Sequence, residues 1–593
     1  MDKSQSLTGA DLISAFIAAK CFSNVFVVTG GAAAFMIDAL ERNPETNYTC
    51  YQHEQSASMA ADAVFRVANK VGVTMATSGP GATNLITGIA SSWFDSVPTM
   101  HITGQVNDRE SKSTLGISVR QAGFQETDIA LMVQSITKYS TKVTTVTELA
   151  HALADAHSIA LSGRMGPVLV DVPMNVQQEI ATIKDFEIAL RKTQDLSNKS
   201  QSPSTEHVAA IVSEFFNTAS RPLVVFGGGL EISGTTQIAQ NWCEKHSIPY
   251  VSSWAGLSSI NRDLLGFQGT QGVYGLRHAN WCVQSADKIL VLGSRLDNRQ
   301  RTGNPRAYAP FADVLVLDID REEIKKLELL ENYRGLEINL KEVPALLEDL
   351  SVPSFENWQE EVLAAASQQD NELSSAVSKN ELDPYAAFQR IDELVDQNTQ
   401  YIADTGATLC WLMQSLSVGQ SHVFTAGGNS PMGYSLPAAI GAQIVQPSLP
   451  IVCVIGDGGF QMNIQELQTA KYLNLPITIV VANNAGYGII KQFQDANTAS
   501  RYAATGNGYS VPDFGAISLA YGIPHTRITQ VSQLTPELLS PKLQIIELII
   551  PEDAKVTPKA EGDHFLHDQF PFQIERNPEL PFAYPSKPSE LGK

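Results

Sequence analysis

The sequence predicts an α/β protein with three doubly wound parallel-sheet domains and an extended C-terminal tail. Three observations predict it. First, short Val/Ile-rich runs alternate with helical patterns along most of the chain: Val25–Val28, Val168–Val172, Leu223–Phe226, Lys288–Leu292, Val314–Leu317, Ile451–Ile455 and Ile477–Val481. Short apolar runs joined by helices read as βαβ units whose sheets are covered on both faces. Second, two polar, proline-containing stretches break the pattern, near Lys192–Thr205 and from about Ser351 to Asp383; both read as linkers or linking helices. Third, 593 residues exceed what one core serves and predict units of about 150 residues. The expected boundaries are 1–185, 200–350 and 380–550, with a tail over 551–593. No fixed-period repeat is present.

Composition narrows the class. The chain is 43% apolar and 17% charged, which excludes a disordered, collagen-like or coiled-coil protein. Its formal charge of −21 argues against general nucleic-acid binding, because phosphate neutralisation needs a basic face. No apolar run approaches the roughly 18 residues of a membrane span, and the N-terminus lacks the pattern of a secretory signal. The six cysteines form no CxxC pair and read as free thiols, so a cytoplasmic location is expected. The tail is dense in proline, which precludes a long helix, yet carries Phe565, Phe570, Phe572 and Phe582. A disordered tail and an arm docked by its aromatics both fit.

The strongest chemical signal lies in the third segment. Val454-Ile455-Gly456-Asp457-Gly458-Gly459-Phe460 follows a strand and precedes a helical stretch, Asn463–Tyr472; a second strand then ends at Asn483-Asn484. The spacing from Asp457 to Asn484 is that of one helical crossover. A right-handed crossover puts both residues at the carboxyl edge of the sheet, where open α/β folds bind ligands. Asp and Asn oxygens with a backbone carbonyl make a hard-oxygen site suited to Mg²⁺ and completed by phosphate. Gly456, Gly458 and Gly459 let backbone approach a diphosphate beside a helix N-terminus. A plain glycine turn with an unrelated Asn pair is the alternative, and the strand–helix–strand context weighs against it.

This arrangement resembles the diphosphate-binding signature of the thiamine-diphosphate enzymes, which implies Asp457, Asn484 and the Gly486 carbonyl as metal ligands. Such enzymes also need a carboxyl group to protonate the cofactor's aminopyrimidine. Alone, Glu54 would read as a solvated helix-start acid. However, His53-Glu54-Gln55, Ser78-Gly79-Pro80-Gly81-Ala82-Thr83-Asn84, Asp95-Ser96-Val97-Pro98, Ile102-Thr103-Gly104-Gln105-Val106 and Phe124-Gln125-Glu126 together resemble the pyrimidine-binding domain of the acetohydroxyacid (acetolactate) synthases. The resemblance runs to about residue 550. It implies Glu54 as the catalytic glutamate, with Gln125 and Lys138 in the same cleft. Gly30, Gly31 and Gly406 would lie against the cofactor, and Met432 would support its bend. The three domains are then pyrimidine-binding, central FAD-binding and diphosphate-binding.

For FAD the residues give weaker signals. Gly227-Gly228-Gly229 after a strand suits a nucleotide site but is also an ordinary turn. Arg295, Arg299 and Arg301 between glycines suit an anion site or solvent. The family match implies FAD contacts from Arg164, Arg295, Asp318 and Ile319, and places Arg299 against the acceptor's carboxylate. It further implies pyruvate as donor, a carbonyl acceptor and a homodimer or homotetramer.

The chain departs from the family around the acceptor. Phe493 stands where the synthases have tryptophan, and Gln268 falls within a replaced Met-His segment. Asp404-Thr405-Gly406 lacks the family's Gln-His, and Val28-Thr29-Gly30-Gly31 lacks its proline. The Thr-Gly-Gly opening and long tail are similar to a branch that adds an acetyl unit to a nucleotide-linked keto-deoxysugar. That acceptor is the favoured expectation; acetolactate synthesis from two 2-keto acids is the alternative. An FAD-dependent pyruvate oxidase and a non-catalytic scaffold rank lower.

Overall fold

The computed structural model describes residues 6–591 except 21, 23, 195, 197–202, 329, 331, 349, 369–376, 379, 417, 418, 563 and 571–578. It contains three six-stranded sheets, each parallel throughout. The first holds β1 (Val25–Val28), β2 (Tyr48–Cys50), β3 (Gly72–Ala76), β4 (Thr99–Gln105), β5 (Tyr139–Lys142) and β6 (Val168–Pro173), in the order β2-β1-β3-β4-β6-β5. The second holds β7 (Pro222–Phe226), β8 (Tyr250–Ser252), β9 (Phe267–Thr270), β10 (Lys288–Leu292), β11 (Asp313–Asp318) and β12 (Tyr333–Glu337), in the order β12-β11-β10-β7-β8-β9. The third holds β13 (Gln400–Ala403), β14 (His422–Phe424), β15 (Ile451–Gly456), β16 (Ile477–Asn483), β17 (His525–Ile528) and β18 (Gln544–Ile549), in the order β14-β13-β15-β16-β18-β17.

The central strands are buried along nearly their whole length, as their continuous Val/Ile character requires. The first and third sheets share one topology. The middle sheet, read from β9, has the doubly wound order in which a dinucleotide binds where strand order reverses. Reversal falls between β1 and β3, between β7 and β10, and between β13 and β15. The glycine motifs singled out from the sequence lie at these three crevices.

The first and third domains of one chain pack through the Glu54–Ala68 helix against the Ser435–Val445 helix. A Cβ on Gly441 would lie 2.6 Å from the Ala60 carbonyl oxygen, so the backbones nearly touch. Ala57 and Ala60 share one buried apolar cluster with Ala438, Ala439 and Ala442 across this crossing. An ion-pair network closes the same junction: buried Asp62 accepts from Arg66 Nε (2.6 Å), Ser92 Oγ (3.0 Å) and Tyr434 Oη (2.5 Å), while Arg66 also meets Asp95 (2.8 Å) and the Thr425 carbonyl (3.1 Å). Asp62→Ala should destabilise the protein by about 3 kcal/mol, because it strips a partly buried guanidinium and a buried phenol of their shared acceptor. Urea denaturation checks this, and a change below about 1 kcal/mol would contradict it.

The first polar stretch falls partly outside the described residues. The second also falls partly outside them, at 369–376 and 379; its Glu356–Gln368 helix, whose buried Trp358 donates to the Pro222 carbonyl at 2.9 Å, packs on the middle domain. The described part of the tail is docked. Trp411 and Gln414 donate to the Lys555 and Pro558 carbonyls at 3.0 and 2.9 Å. Phe565, Leu566 and His567 are buried, and Tyr584 sits edge-on to Phe565 at 4.8 Å. Phe582 packs on Phe311 at 5.2 Å. Of the four phenylalanines, Phe570 is half exposed and Phe572 lies outside the described residues.

Candidate cofactor and active site

Two constellations form at the crevices of the outer sheets. In the first domain, the β1 and β3 ends bring Gly30 against Thr77: a Cβ on Gly30 would lie 2.5 Å from Thr77 Cγ2. Gly31 borders open space. Glu54 begins its helix behind His53, whose Nδ1 accepts from the Gln55 amide at 3.1 Å. The Glu54 carboxyl is buried, and Oε2 accepts from Asn84 Nδ2 at 2.9 Å. Its other oxygen points toward Gly81, where an added Cβ would stand 3.2 Å away. Gln125, at φ 64°, packs on the Gly79 turn. Glu54, Thr77, Gly79, Gly81, Asn84 and Gln125 therefore share one crevice.

Lys138 does not join them by any hydrogen bond. Its ammonium donates to the Ile159 carbonyl at 2.6 Å and to that of Ser162, at the end of the Val146–Leu161 helix. Burial lowers its pKa to about 8. In this arrangement Lys138 caps a helix C-terminus.

In the third domain the neighbouring strands β13, β15 and β16 end at Asp404, Asp457 and Asn484. The helix expected from Asn463 begins earlier, as Asp457–Met462, and resumes as Glu466–Tyr472. Its early start puts Asp457 at a helix N-terminus. Asp457 is 2% exposed; Oδ2 accepts from the Asn484 and Gly486 amides at 3.1 and 3.3 Å, and Oδ1 from Tyr509 Oη at 2.7 Å. Burial raises the Asp457 pKa against the donors that lower it. Asn484 is buried too, and its Nδ2 has no hydrogen-bond partner among the described residues.

The loops around this carboxylate leave no room for side chains. A Cβ on Gly458 would fall 2.4 Å from the Tyr487 ring and 3.0 Å from Met432 Cε; one on Gly459 would fall 2.9 Å from Asp404 Oδ1. Gly456 faces Thr408, and Gly406 turns at φ 81°. Met432 therefore stands directly over the Gly458 turn. The residues fit a divalent cation held with a diphosphate: one carboxylate, one amide oxygen and one backbone carbonyl, which also accepts from the Gly488 amide at 3.0 Å, are too few to close a cation's shell alone.

Sequence reasoning missed four groups here. Asp404, buried and held at a pKa of about 6 by desolvation, accepts from the Thr405, Gly433 and Ser435 amides and so ties the Met432 loop to β13. Glu466, also buried, accepts from the Gln52 amide at 3.1 Å, seating the segment before Glu54 on the third domain. Lys491 pairs with Glu552 of the tail, and a Cβ on Gly486 would lie 2.6 Å from its ammonium. Tyr509 packs against Tyr487 with ring centroids 4.4 Å apart and planes tilted by 47°, and donates to Asp457. None carries a local motif, since each has a partner remote in sequence: Gly433 for Asp404, Gln52 for Glu466, Glu552 for Lys491 and Asp457 for Tyr509. Tyr509→Phe removes a donor that competes with a cation for Asp457. It should tighten Mg²⁺ binding about fivefold, read by calorimetric titration in the presence of thiamine diphosphate; weaker binding would contradict the competition.

At the middle crevice, Gly227 and Gly229 abut Gly293 so closely that a Cβ on Gly227 would lie 2.2 Å from the Gly293 carbonyl oxygen, and one on Gly228 would meet Ala255. Backbone packing alone requires glycine at 227. Arg164 bonds Ser96 (2.8 Å), Asp320 (2.7 Å) and Glu323 (3.2 Å), which brings the two predicted flavin segments together. Asp318 is held near pKa 6 by burial and accepts from the Asp320 amide, with Ile319 half-buried between them. Arg295 lies 3.5 Å from Asp297. Gln268 is buried and engaged at both ends, by the Leu265 carbonyl (2.7 Å) and His278 (2.8 Å), so its amide serves the fold. Arg299 lies over the Tyr274 ring at 5.9 Å, and Phe493 is 55% exposed on the Gly488–Asn497 helix.

Paired sheets of one topology, one offering a buried glutamate and the other an aspartate–asparagine diphosphate cradle, define a thiamine-diphosphate enzyme. The comparisons agree. Residues 7–132, 209–331 and 404–540 match the N-terminal TPP binding domain, the central domain and the C-terminal TPP binding domain of thiamine pyrophosphate enzymes. The chain is 32% identical over 568 residues to acetolactate synthase 1, chloroplastic, of Oryza sativa subsp. japonica, covering 93% of this chain and 86% of the relative. It is 32% identical over 536 residues to the acetolactate synthase isozyme 2 large subunit of Escherichia coli K12, covering 90% and 93%. To acetolactate synthase, chloroplastic, of Arabidopsis thaliana it is 31% identical over 570 residues, covering 93% and 83%. The chain belongs to the acetolactate synthase family of thiamine-diphosphate-dependent enzymes, which form carbon–carbon bonds. No helix among the described residues is long and apolar enough to cross a membrane.

Proposed function

We propose that the protein decarboxylates pyruvate and joins the two-carbon unit to a second 2-keto acid, as acetolactate synthases do. The observation that carries this reading is the joint presence of buried Glu54 and the buried Asp457–Asn484 pair in a chain whose relatives are acetolactate synthases. The keto-sugar acceptor favoured on sequence finds no support among those relatives.

Bound thiamine diphosphate supplies the electron sink for decarboxylation. The chain's residues do the rest. Asp457, Asn484 Oδ1 and the Gly486 carbonyl would hold Mg²⁺, and the Asp457–Met462 helix N-terminus would face the diphosphate. Glu54 exchanges a proton through Oε1, the oxygen that Asn84 leaves free. Met432 and Tyr487 cover the Gly458 turn and exclude water.

FAD fits the middle crevice. Ser252 Oγ, Ser253 Oγ, Thr270 Oγ1 and Gln271 Oε1 are buried without hydrogen-bond partners among the described residues, all at the carboxyl ends of β8 and β9. A nucleotide there would satisfy them. A homodimer is favoured because Leu115, Ile117 and Phe124 near Gln125 are exposed, Phe124 by 84%, an apolar patch that a second copy would cover.

Product analysis by mass spectrometry tests the reading: holoenzyme with thiamine diphosphate, Mg²⁺, FAD and pyruvate, with and without a nucleotide-linked 4-keto-deoxysugar. Acetolactate formed at the same rate in both mixtures supports it. A two-carbon branch on the sugar with suppressed self-condensation restores the sugar acceptor, and absence of CO₂ release rejects pyruvate as donor.

A further inference from the structure

The tail sets a carboxylate on a buried lysine at the edge of the cradle. Lys491 lies in the first turn of the Gly488–Asn497 helix, which begins two residues after Gly486. Its side chain is 9% exposed, and a Cβ on Gly486 would lie 2.6 Å from its ammonium nitrogen. The charge therefore sits against the segment that presents the Gly486 carbonyl. The same ammonium pairs with Glu552, whose side chain is 65% exposed. Four residues further along the helix, on the same face, Asp495 meets Lys555 of the tail at 3.7 Å. The two pairs have opposite polarity, so helix and tail are matched in charge. Backbone contacts fix the register: Gln492 Nε2 donates to the Val556 carbonyl at 2.9 Å, and Gln492 Oε1 accepts from the Val556 amide at 3.0 Å. Trp411 and Tyr385 hold the neighbouring residues, through the Lys555 carbonyl and the Thr557 amide.

A fixed ammonium is a poor neighbour for a divalent cation. Like charges at close range repel, and burial keeps water and salt from screening them. Lys491 stays against the metal loop for as long as its helix holds. An opposite charge in contact with it cancels most of its field. That charge comes from Glu552, 61 residues along the chain.

We propose that Glu552 is the counter-charge that lets the Asp457 cradle take a divalent cation, so that metal affinity depends on the tail being docked. This rests on the reading above that Asp457, Asn484 and Gly486 hold Mg²⁺. Glu552 touches none of these ligands by hydrogen bond or ion pair; it is a positioning residue that acts through Lys491. The dependence is reciprocal. A bound cation favours keeping the carboxylate where it is and so holds the tail down.

Calorimetric titration of Mg²⁺ into the full-length protein saturated with thiamine diphosphate tests this through the signs of three variants. Glu552→Gln leaves the ammonium uncompensated and should weaken Mg²⁺ binding about tenfold. Lys491→Met leaves the carboxylate uncompensated and should tighten it about threefold. The double variant lacks both charges and should bind within about twofold of the wild type. A pair that only braces the fold gives another pattern, with both single variants weakened and the double variant no better than either. That pattern, or unchanged affinity in Glu552→Gln, would overturn the inference. If Glu552→Gln does not fold, Lys491→Met decides: tighter binding upholds the counter-charge, and equal or weaker binding rejects it. Asp457→Ala reports the metal site separately. Wild-type affinity in that variant would remove the cradle and the inference with it. Loss in Asp457→Ala without any response in the pair variants rejects the counter-charge alone. Hydrogen exchange read by mass spectrometry supplies the reciprocal measurement. Adding Mg²⁺ and thiamine diphosphate should slow exchange of the tail peptide around Val556 about fivefold in the wild type and leave it unchanged in Glu552→Gln. Equal slowing in both would reject the coupling.

Discussion

Asp457→Ala is expected to lose Mg²⁺ and thiamine diphosphate together, with cofactor affinity falling at least about 100-fold, roughly 2.8 kcal/mol. The cradle offers one carboxylate, so its removal leaves a divalent cation with neutral oxygens only. The loss should exceed the metal term alone. Asp457 also accepts the amides of Asn484 and Gly486 and so shapes the loop that presents the other two ligands. Asp457→Asn separates the two effects: it keeps a hydrogen-bond acceptor but removes the charge, and should retain the fold while losing the metal. Calorimetric titration with Mg²⁺ and thiamine diphosphate is the check. An unchanged dissociation constant for Asp457→Ala would remove Asp457 from the metal site.

Glu54→Gln should behave oppositely, with the cofactor bound and turnover slowed by roughly 10²–10⁴-fold. Glu54 touches none of the groups of the Asp457 cradle by hydrogen bond, so cofactor affinity should change little. Glutamine preserves the Asn84 contact and the buried volume but cannot exchange a proton. The discriminating measurement is hydrogen–deuterium exchange at the cofactor's thiazolium C2 carbon by quenched-flow NMR. Exchange at the wild-type rate would exclude Glu54 from proton transfer. The pair of variants distinguishes holding the cofactor from activating it.

Much of the site was legible because its chemistry sits on short motifs. The Gly456–Gly459 turn and Asn483-Asn484 each follow a strand, and strands are legible as Val/Ile runs, so Asp457 and Asn484 could be put at one sheet edge before any coordinates. Glu54 needed more: an isolated acid at a helix start has no distinguishing pattern, and only the resemblance of its surroundings singled it out. Gln268 illustrates the opposite failure. It stands where the family has another residue, but its amide bonds Leu265 and His278, contacts that no family pattern contains. Lys138 is similar, its ammonium directed by burial to the nearest helix C-terminus. The tail was undecided on composition, since proline and aromatics suit both a solvated and a docked chain; docking followed from carbonyls placed opposite Trp411 and Gln414.

The sequence by itself determined the three parallel α/β units, the glycine turns at their strand ends and the Asp457–Asn484 pairing at one sheet edge, because periodicity and turn chemistry are local. Only the tertiary structure decided what joins them: Asp404 holding the Met432 loop, Glu466 seating the approach to Glu54, and Asp62 meeting Tyr434. Each is a buried carboxylate with a partner far along the chain. Such groups are stable only when every donor and acceptor is met in three dimensions, a condition that no stretch of sequence expresses.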